Sequence, residues 1–182
     1  MSSPVGHTLF GLSVFLGSPF WNKWKWIWAG LFVLVVANLP DLDILIGFIN
    51  GHPNQYHQHF SHSLVFAVFI GILAGAGYQR LKHTSGIGMG LLTTTILLSH
   101  YLLDFLGRDS SYPYGIQLFW PFSQDFYLSP IHIVRSVSKS SSSGTFIQSL
   151  LCRHNALTVA FELAVFLPLS AGLYWWRKKK TQ

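Results

Sequence analysis

The chain has 182 residues, of which 50% are hydrophobic, 16% are aromatic and 10% are charged. A soluble domain carries about 25% charged residues, so this composition cannot cover a water-facing surface and predicts an integral membrane protein. The net charge of +6 does not indicate nucleic acid binding, because the basic residues cluster at the ends of apolar stretches. Cys152 is the single cysteine, which excludes an intramolecular disulfide and thiolate zinc sites.

The apolar stretches predict an all-α, polytopic helical bundle of about four to five spans. The first stretch runs from about Val5 to Phe20 and resembles a short helix more than a cleavable signal peptide, because no basic region precedes it. The second runs from Trp24 to Ile49, and Pro40 interrupts it because proline lacks an N–H and disfavours helix in the residue before it. We expect a helix to about Ala37, followed by a short re-entrant or continuing helix from Leu42 to Phe48.

The rest of the chain predicts three more spans, at residues 63–78, 86–106 and 156–176. Residues 107–155 form a long polar, extramembrane segment, and its serine run at 138–143 is expected to be a loop tip. We expect residues 1–182 to form a single integral membrane domain.

Three basic clusters set the expected orientation. They lie near Lys23, near Arg80 and in the tail that follows Arg177, and the predicted spans place all three on one side. Basic loops face the cytoplasm, so we expect the histidine-rich loop at 50–62 and Tyr112 to face outside. The expected location is the bacterial inner membrane.

Three of the six acidic residues, Asp41, Asp43 and Asp104, lie within or at the ends of predicted spans. A carboxylate at membrane depth costs at least a few kcal/mol, so its presence requires a reason. Pairing with a basic residue, an interfacial position or helix capping are alternatives to a functional site. For Asp41 and Asp43, which follow a proline, capping of the first turn is a serious alternative.

His100 and Asp104 are four residues apart in a predicted helix, so both side chains lie on one face, one turn apart. This spacing is typical of a two-ligand unit for one metal ion. The alternative is an ion pair between Asp104 and Arg108, which have the same spacing. His57, His59 and His62 add imidazoles in one short loop, and His7 begins the first span.

The orientation places all of these candidates on one side of the membrane. Histidine nitrogens with aspartate oxygens suit zinc, manganese or iron, whereas calcium prefers oxygen alone. Several carboxylates beside several imidazoles can hold two ions, which activate water and stabilise an oxyanion. The sequence assigns no role to Glu162, His132 or His154, although a pairing role within the bundle is the default for Glu162.

These residues resemble a known family, the bacterial membrane-bound metal-dependent hydrolases that are YdjM-like and in part LexA-regulated. The matching pieces cover roughly Gly6 to Phe122: Gly6-His7, Leu39-Pro40-Asp41-Leu42-Asp43, His57 with Ser61-His62-Ser63-Leu64, His100-Tyr101-Leu102-Leu103-Asp104, and later Gly115 with Trp120-Pro121-Phe122. The chain departs from the family pattern at Gln58, where arginine is usual, at Ser61, where threonine is usual, and at the additional His59.

A weaker similarity is to zinc-dependent phospholipases C and related nucleases, which add a second unit, His-x-x-x-Glu. Here Thr158 precedes Glu162 by four residues, so one or two ions are expected instead of three.

We therefore predict a membrane-embedded metal-dependent hydrolase that acts on phosphoester bonds of lipids or lipid-linked substrates. The expected cofactor is a divalent metal, zinc first, with manganese or iron as alternatives. A non-enzymatic metal-binding membrane protein or transporter is the alternative function. The predicted metal ligands are His7, Asp43, His62, His100 and Asp104, and the predicted catalytic residues are Asp41 and His57.

Overall fold

A computed structural model describes residues 1–109 and 113–181, so Tyr112 lies outside the described part. The regular elements in that part are helical, with two isolated β-bridges and no strand, which confirms the all-α class. The helices are α1 Pro4–Gly17, α2 Trp26–Asn38, α3 Ile44–Ile49, α4 Leu64–Lys82, α5 Ile87–Phe105, α6 Ser143–Leu150 and α7 Arg153–Thr181. Two 3₁₀ turns, Pro40–Asp43 and Phe60–His62, precede α3 and α4.

Three helices, α4, α5 and α7, are long and apolar enough to cross a membrane. The break at Pro40 bends α2 against the helical stretch Pro40–Ile49 by 54°, and this bent pair makes a fourth candidate span. The shorter apolar helix α1 has 14 residues. Together these helices agree with the four to five spans expected from sequence.

The most buried span is α5, which packs against α1, α2 and α4, while α7 packs along α1. Its apolar side chains Ile96 and Leu97 are fully buried and meet Val33 of α2 and Phe15 of α1 in one core. Contact between α4 and α5 depends on glycine, because a Cβ atom at Gly75 would lie 2.9 Å from the carbonyl oxygen of Gly86. By contrast, α4 and α7 leave most of their apolar side chains exposed, as lipid-facing helices must.

One end of the bundle collects the starts of α1, α4 and α7 and the ends of α2 and α5. At the opposite end, the Arg177 guanidinium donates to the carbonyl oxygens of Leu16, Gly17 and Ser18 at 2.6–3.1 Å. The basic tail therefore lies far from the candidate ligands, as the sequence predicts. Which of the two ends faces the cytoplasm stays a prediction.

The polar segment that begins at Gly107 folds back over the candidate-ligand end. The backbone N–H of Ser129 donates to the Phe105 carbonyl at 3.0 Å, and that of Val137 donates to the Met1 carbonyl at 3.1 Å. The serine run is not simply a loop tip, because Ser143 begins α6 and the Ser140 N–H donates to Ser149 Oγ at 2.8 Å. These contacts bring α6 beside α3, where Phe146 packs edge-on against Phe48.

Candidate metal centre

The site begins with His100 and Asp104 on the last turns of α5, both fully buried. His100 Nε2 lies 3.1 Å from Asp104 Oδ2, as expected for side chains one turn apart. His100 Nδ1 lies 2.7 Å from the carbonyl oxygen of Ala37. This contact requires an N–H at Nδ1 and leaves Nε2 with a free lone pair, the usual arrangement of a metal-binding histidine. Within the described residues Asp104 pairs with histidines and not with Arg108.

Two more ligand atoms converge on this pair. His62, from the turn before α4, places Nε2 3.1 Å from His100 Nε2 and 3.5 Å from Asp104 Oδ2. Asp41, from the turn after α2, places Oδ1 3.6 Å from both of those imidazole nitrogens. A tetrahedral zinc ion with bonds of 2.0–2.2 Å separates its ligand atoms by roughly 3.3–3.6 Å. Three of the five separations, at 3.5–3.6 Å, lie within that range, and the other two, at 3.1 Å, lie slightly below it.

The chemistry of these four groups fits a cation. His62 Nδ1 lies 3.0 Å from the Ser61 hydroxyl oxygen, so both imidazoles use Nδ1 as donor and turn the lone pairs of Nε2 toward each other. Both oxygens of Asp41, and Oδ2 of Asp104, are buried without a hydrogen-bond donor. Lone pairs and carboxylates that converge in this way repel one another unless a positive ion lies between them.

Asp43 lies beside this group of four residues and contacts the loop that carries His57 and His62. It accepts hydrogen bonds from His57 Nδ1 at 2.7 Å, from the Ser61 hydroxyl at 2.5 Å and from the Gln58 N–H at 3.1 Å. Gln58 reaches it from a left-handed backbone conformation, with φ of 66°. Because its oxygens are filled by donors, Asp43 is placed to orient His57 directly and His62 through Ser61. Asp43 is the N-cap residue of α3 but makes no side-chain capping hydrogen bond there, so the structure does not support the capping alternative for Asp43.

The pKa values of His57 and His62 shift in opposite directions. Burial lowers the pKa of His57 to about 4, against the opposing effect of Asp43. Burial also opposes protonation of His62, but contacts with Asp104, Asp41 and Asp43 outweigh it and raise the pKa of His62 well above its ordinary value. The carboxylates therefore create a strong local preference for positive charge.

His7 and the start of α1 close the site from the side. The His7 ring stacks on His100 with centroids 3.7 Å apart, and His7 Nε2 lies 3.3 Å from Asp104 Oδ1. Glu162 of α7 holds this start in place, because it accepts from the Ser3 N–H at 2.8 Å and from the hydroxyls of Ser2 and Ser3. The Ser2 N–H then donates to Asp104 Oδ1 at 3.0 Å. Glu162 thus pairs with backbone and hydroxyl donors instead of a basic residue.

Two further features border the site and carry no local signal in the sequence. Lys139, from the polar segment, approaches within 2.6 Å of the Met1 sulfur, which lies 2.8 Å from His57 Nε2. Tyr101 donates its hydroxyl to the Ser61 carbonyl at 2.8 Å and supports the turn that carries His62. Sequence spacing could not reveal these contacts because they join positions far apart along the chain.

The remaining histidines lie apart from the cluster. His59 packs its ring against Phe126, and His154 contacts the carbonyl oxygen of Ser136 at 2.9 Å. The exposed histidines include His52, His83 and His132. In the aromatic segment that ends at Phe122, the side chains of Phe119, Trp120 and Phe122 are exposed.

A cavity of about 290 Å³ opens beside Asp41. Its lining includes Met1, Ser2, Lys139 and Asp41. Its apolar walls include Leu42 and Leu45 before and within α3, and Phe146 and Leu150 of α6. A larger groove of about 450 Å³ between α4 and α5 has no ionisable lining residue and lies away from the cluster.

Comparison with known proteins agrees with the resemblance seen in the sequence. The sequence profile of the family described as YdjM inner membrane protein matches residues 1–180. A curated relative, the inner membrane protein YbcI of Escherichia coli (strain K12), is 29% identical over 150 residues, which cover 80% of this chain and 82% of the relative. No solved structure shows a significant match.

Proposed function

We propose that this chain, which belongs to the YdjM family of inner membrane proteins, is a membrane-embedded hydrolase that depends on a divalent metal. The observation that supports this proposal is the buried group of Asp41, His62, His100 and Asp104, whose ligand atoms are spaced nearly as a tetrahedral metal requires. Two imidazoles and two carboxylates suit zinc, with manganese or iron as alternatives.

The proposed roles differ in one respect from the assignment that the sequence pattern favours. Asp41, which the pattern assigns to catalysis, becomes a metal ligand, because its oxygens lack donors and face the other three groups. Asp43, which the pattern assigns to the metal, becomes an orienting residue, because three donors already fill its oxygens. His7 would contribute to a second ion through its approach to Asp104.

A cation held at these four groups would acidify water and stabilise negative charge on a substrate oxygen. The chain itself supplies a proton acceptor in His57. Its Nδ1–H is committed to Asp43, and its Nε2 lies 3.9 Å from Asp41 Oδ1, at the edge of the ligand group. Nε2 therefore keeps a free lone pair, which here contacts the Met1 sulfur at 2.8 Å, and it would accept a proton from a water that replaced this sulfur.

The reaction class that this arrangement suits is hydrolysis of a phosphoester. Negative charge develops on the phosphate oxygens during that reaction, and a cation with buried ligands stabilises it. The site lies at one end of a membrane bundle, which favours a substrate that carries both a polar head and an apolar tail. A non-enzymatic metal-binding protein or transporter is the alternative that the experiment must exclude.

The test is full-length protein in detergent, stripped of metal, re-supplied with zinc or manganese, and assayed on phospholipid and polyprenyl-phosphate substrates. We expect metal-dependent turnover, with both bound metal and turnover lost in His100→Ala and Asp104→Asn while helicity is kept. His59→Ala is the matched control, because this loop histidine lies outside the cluster and should keep its metal. Failure of the protein to bind any divalent metal, or full activity in both variants, would refute the hydrolase proposal.

A further inference from the structure

The cavity beside Asp41 joins the metal centre to the apolar surface of the bundle. Its apolar walls come from the stretch around α3, Leu42 to Leu45, and from α6, and the lining side chains Leu42 and Leu45 are 53% and 58% exposed. Ligand cavities measure about 300–1,000 Å³, so about 290 Å³ accommodates part of one ligand and leaves its remainder on that exposed surface. A hydrocarbon chain is the ligand chemistry that such a surface fits.

The lining of the same cavity includes a cation, Lys139, which makes no salt bridge in the described part of the chain, although nearby carboxylates, Asp41 first, attract its charge. Lys139 is partly buried, and in the described part of the chain its one hydrogen-bond partner is the Met1 sulfur, at 2.6 Å. A thioether is a weak acceptor, so the ammonium group has N–H donors that no oxygen accepts. An ammonium group is a common binding group for phosphate, as a compact point charge.

The Lys139 ammonium and the apolar cavity walls therefore lie side by side, next to Asp41. The lining of the cavity includes Asp41 of the proposed metal group and Lys139, and the rest of its surface is mainly hydrocarbon. We propose that this cavity binds a phosphorylated membrane lipid, with the phosphate at Lys139 and the beginning of the lipid chain between the stretch around α3 and α6. The binding step stands on these contacts alone, and the hydrolysis that follows it rests on the proposed function.

The reaction implied for this lipid is balanced by one water molecule. The water oxygen bonds to phosphorus, the bond between phosphorus and the lipid oxygen breaks, and the released lipid hydroxyl takes a proton. Lys139 is a specificity-determining residue in this scheme, since its ammonium donates to a phosphate oxygen that is not part of the broken bond. A simple counter-ion role for Lys139 would instead affect only stability and metal affinity.

The first experiment measures binding without turnover. Native mass spectrometry of the metal-stripped, full-length protein compares retention of phosphatidic acid with that of diacylglycerol of the same chains. We expect wild-type protein to retain phosphatidic acid on the order of tenfold better, because one charge-assisted hydrogen bond supplies that preference. Lys139→Met should abolish the preference and Lys139→Arg should restore most of it. Lys178→Met, at the opposite end of the bundle, is the control that should change nothing.

The second experiment tests recognition of the phosphate head and of the hydrocarbon tail separately, during turnover. A long-chain alkyl phosphate and a short, soluble phosphate ester are compared in the metal-loaded protein. Lys139→Met should raise KM on the order of tenfold for both substrates, whereas Leu45→Gln should raise KM for the long-chain substrate only. Equal retention of both lipids by the wild type, or unchanged lipid preference in Lys139→Met, would overturn the inference even where turnover is seen. Lipid preference that depends on Lys139 without any turnover would sustain the inference and refute the hydrolase.

Discussion

Replacing each of two neighbouring aspartates by asparagine should change the stability of the metal-stripped protein to very different extents. Asp43 accepts three hydrogen bonds at 2.5–3.1 Å, and an asparagine amide must present N–H to at least one of those donors. We expect Asp43→Asn to lower the free energy of unfolding by about 1.5–3 kcal/mol, the contribution of one buried bond to a charged group. Asp41 has no hydrogen-bond donor on either oxygen, but its carboxylate contributes to the raised pKa of His62. These two effects oppose each other, so Asp41→Asn should change that free energy by less than about 1 kcal/mol.

For metal affinity the order should be reversed, with Asp41→Asn more affected than Asp43→Asn. Loss of an orienting residue weakens metal binding about 10–100-fold, equivalent to roughly 1.4–2.7 kcal/mol, and we expect that loss in Asp43→Asn. Asp41→Asn removes a charged ligand and should weaken binding by more. Chelator competition measures affinity, and denaturant titration in detergent measures stability. If Asp43→Asn lost all metal while Asp41→Asn stayed within tenfold of wild type, Asp43 would be the ligand and the proposed division of roles would be wrong.

Four other outcomes follow from the described contacts. Gly75→Ala should destabilise the α4–α5 pair by about 1–3 kcal/mol, because its Cβ would meet the Gly86 carbonyl, whereas Gly77→Ala has open space and should be neutral or slightly stabilising in the same unfolding titration. Glu162→Ala should lower the free energy of unfolding by about 2–4 kcal/mol and weaken metal binding, since it frees the start of α1; an unchanged chelator titration would contradict this link. Removal of metal with EDTA should lower the unfolding temperature of wild-type protein but not of a variant that lacks the metal ligands. Cys152 lies at the site end, so a membrane-impermeant maleimide should label it from the outer face of spheroplasts, and protection of that thiol would reverse the expected orientation.

Short-range patterns in the sequence predict much of this molecule. The pair at His100 and Asp104 is correctly placed because helical spacing alone puts both residues on one face. The break at Pro40 is predicted by the chemistry of proline, and it appears as the 54° bend. The ends of the spans follow from the apolar stretches within a few residues, as Ser63 shows by capping α4 through its contact with the Phe66 N–H.

The features that sequence reasoning missed depend on long-range contacts. Glu162 has no visible partner in the sequence, because its donors at Ser2 and Ser3 lie about 160 residues away. The different surroundings of Asp41 and Asp43 are equally hidden, since they depend on how the loop that carries His57 folds over the turn. Lys139 lies in a serine-rich stretch whose composition indicates a loop and gives no sign that it reaches the metal centre.

The position of the cluster also bears on the choice between an enzyme and a transporter. A transporter needs a route for the metal from this end of the bundle to the other. Below the cluster that route is filled by fully buried apolar side chains, among them Ile96 and Leu97. The helices are close together here, because a Cβ atom at Gly11 would lie 3.1 Å from the Ala37 side chain and 3.3 Å from Ile96. The cavity beside Asp41 gives the cluster a lateral and mainly apolar opening. That arrangement suits a metal that stays in place while a lipid enters and leaves, so proteoliposomes loaded with a zinc indicator should show no uptake.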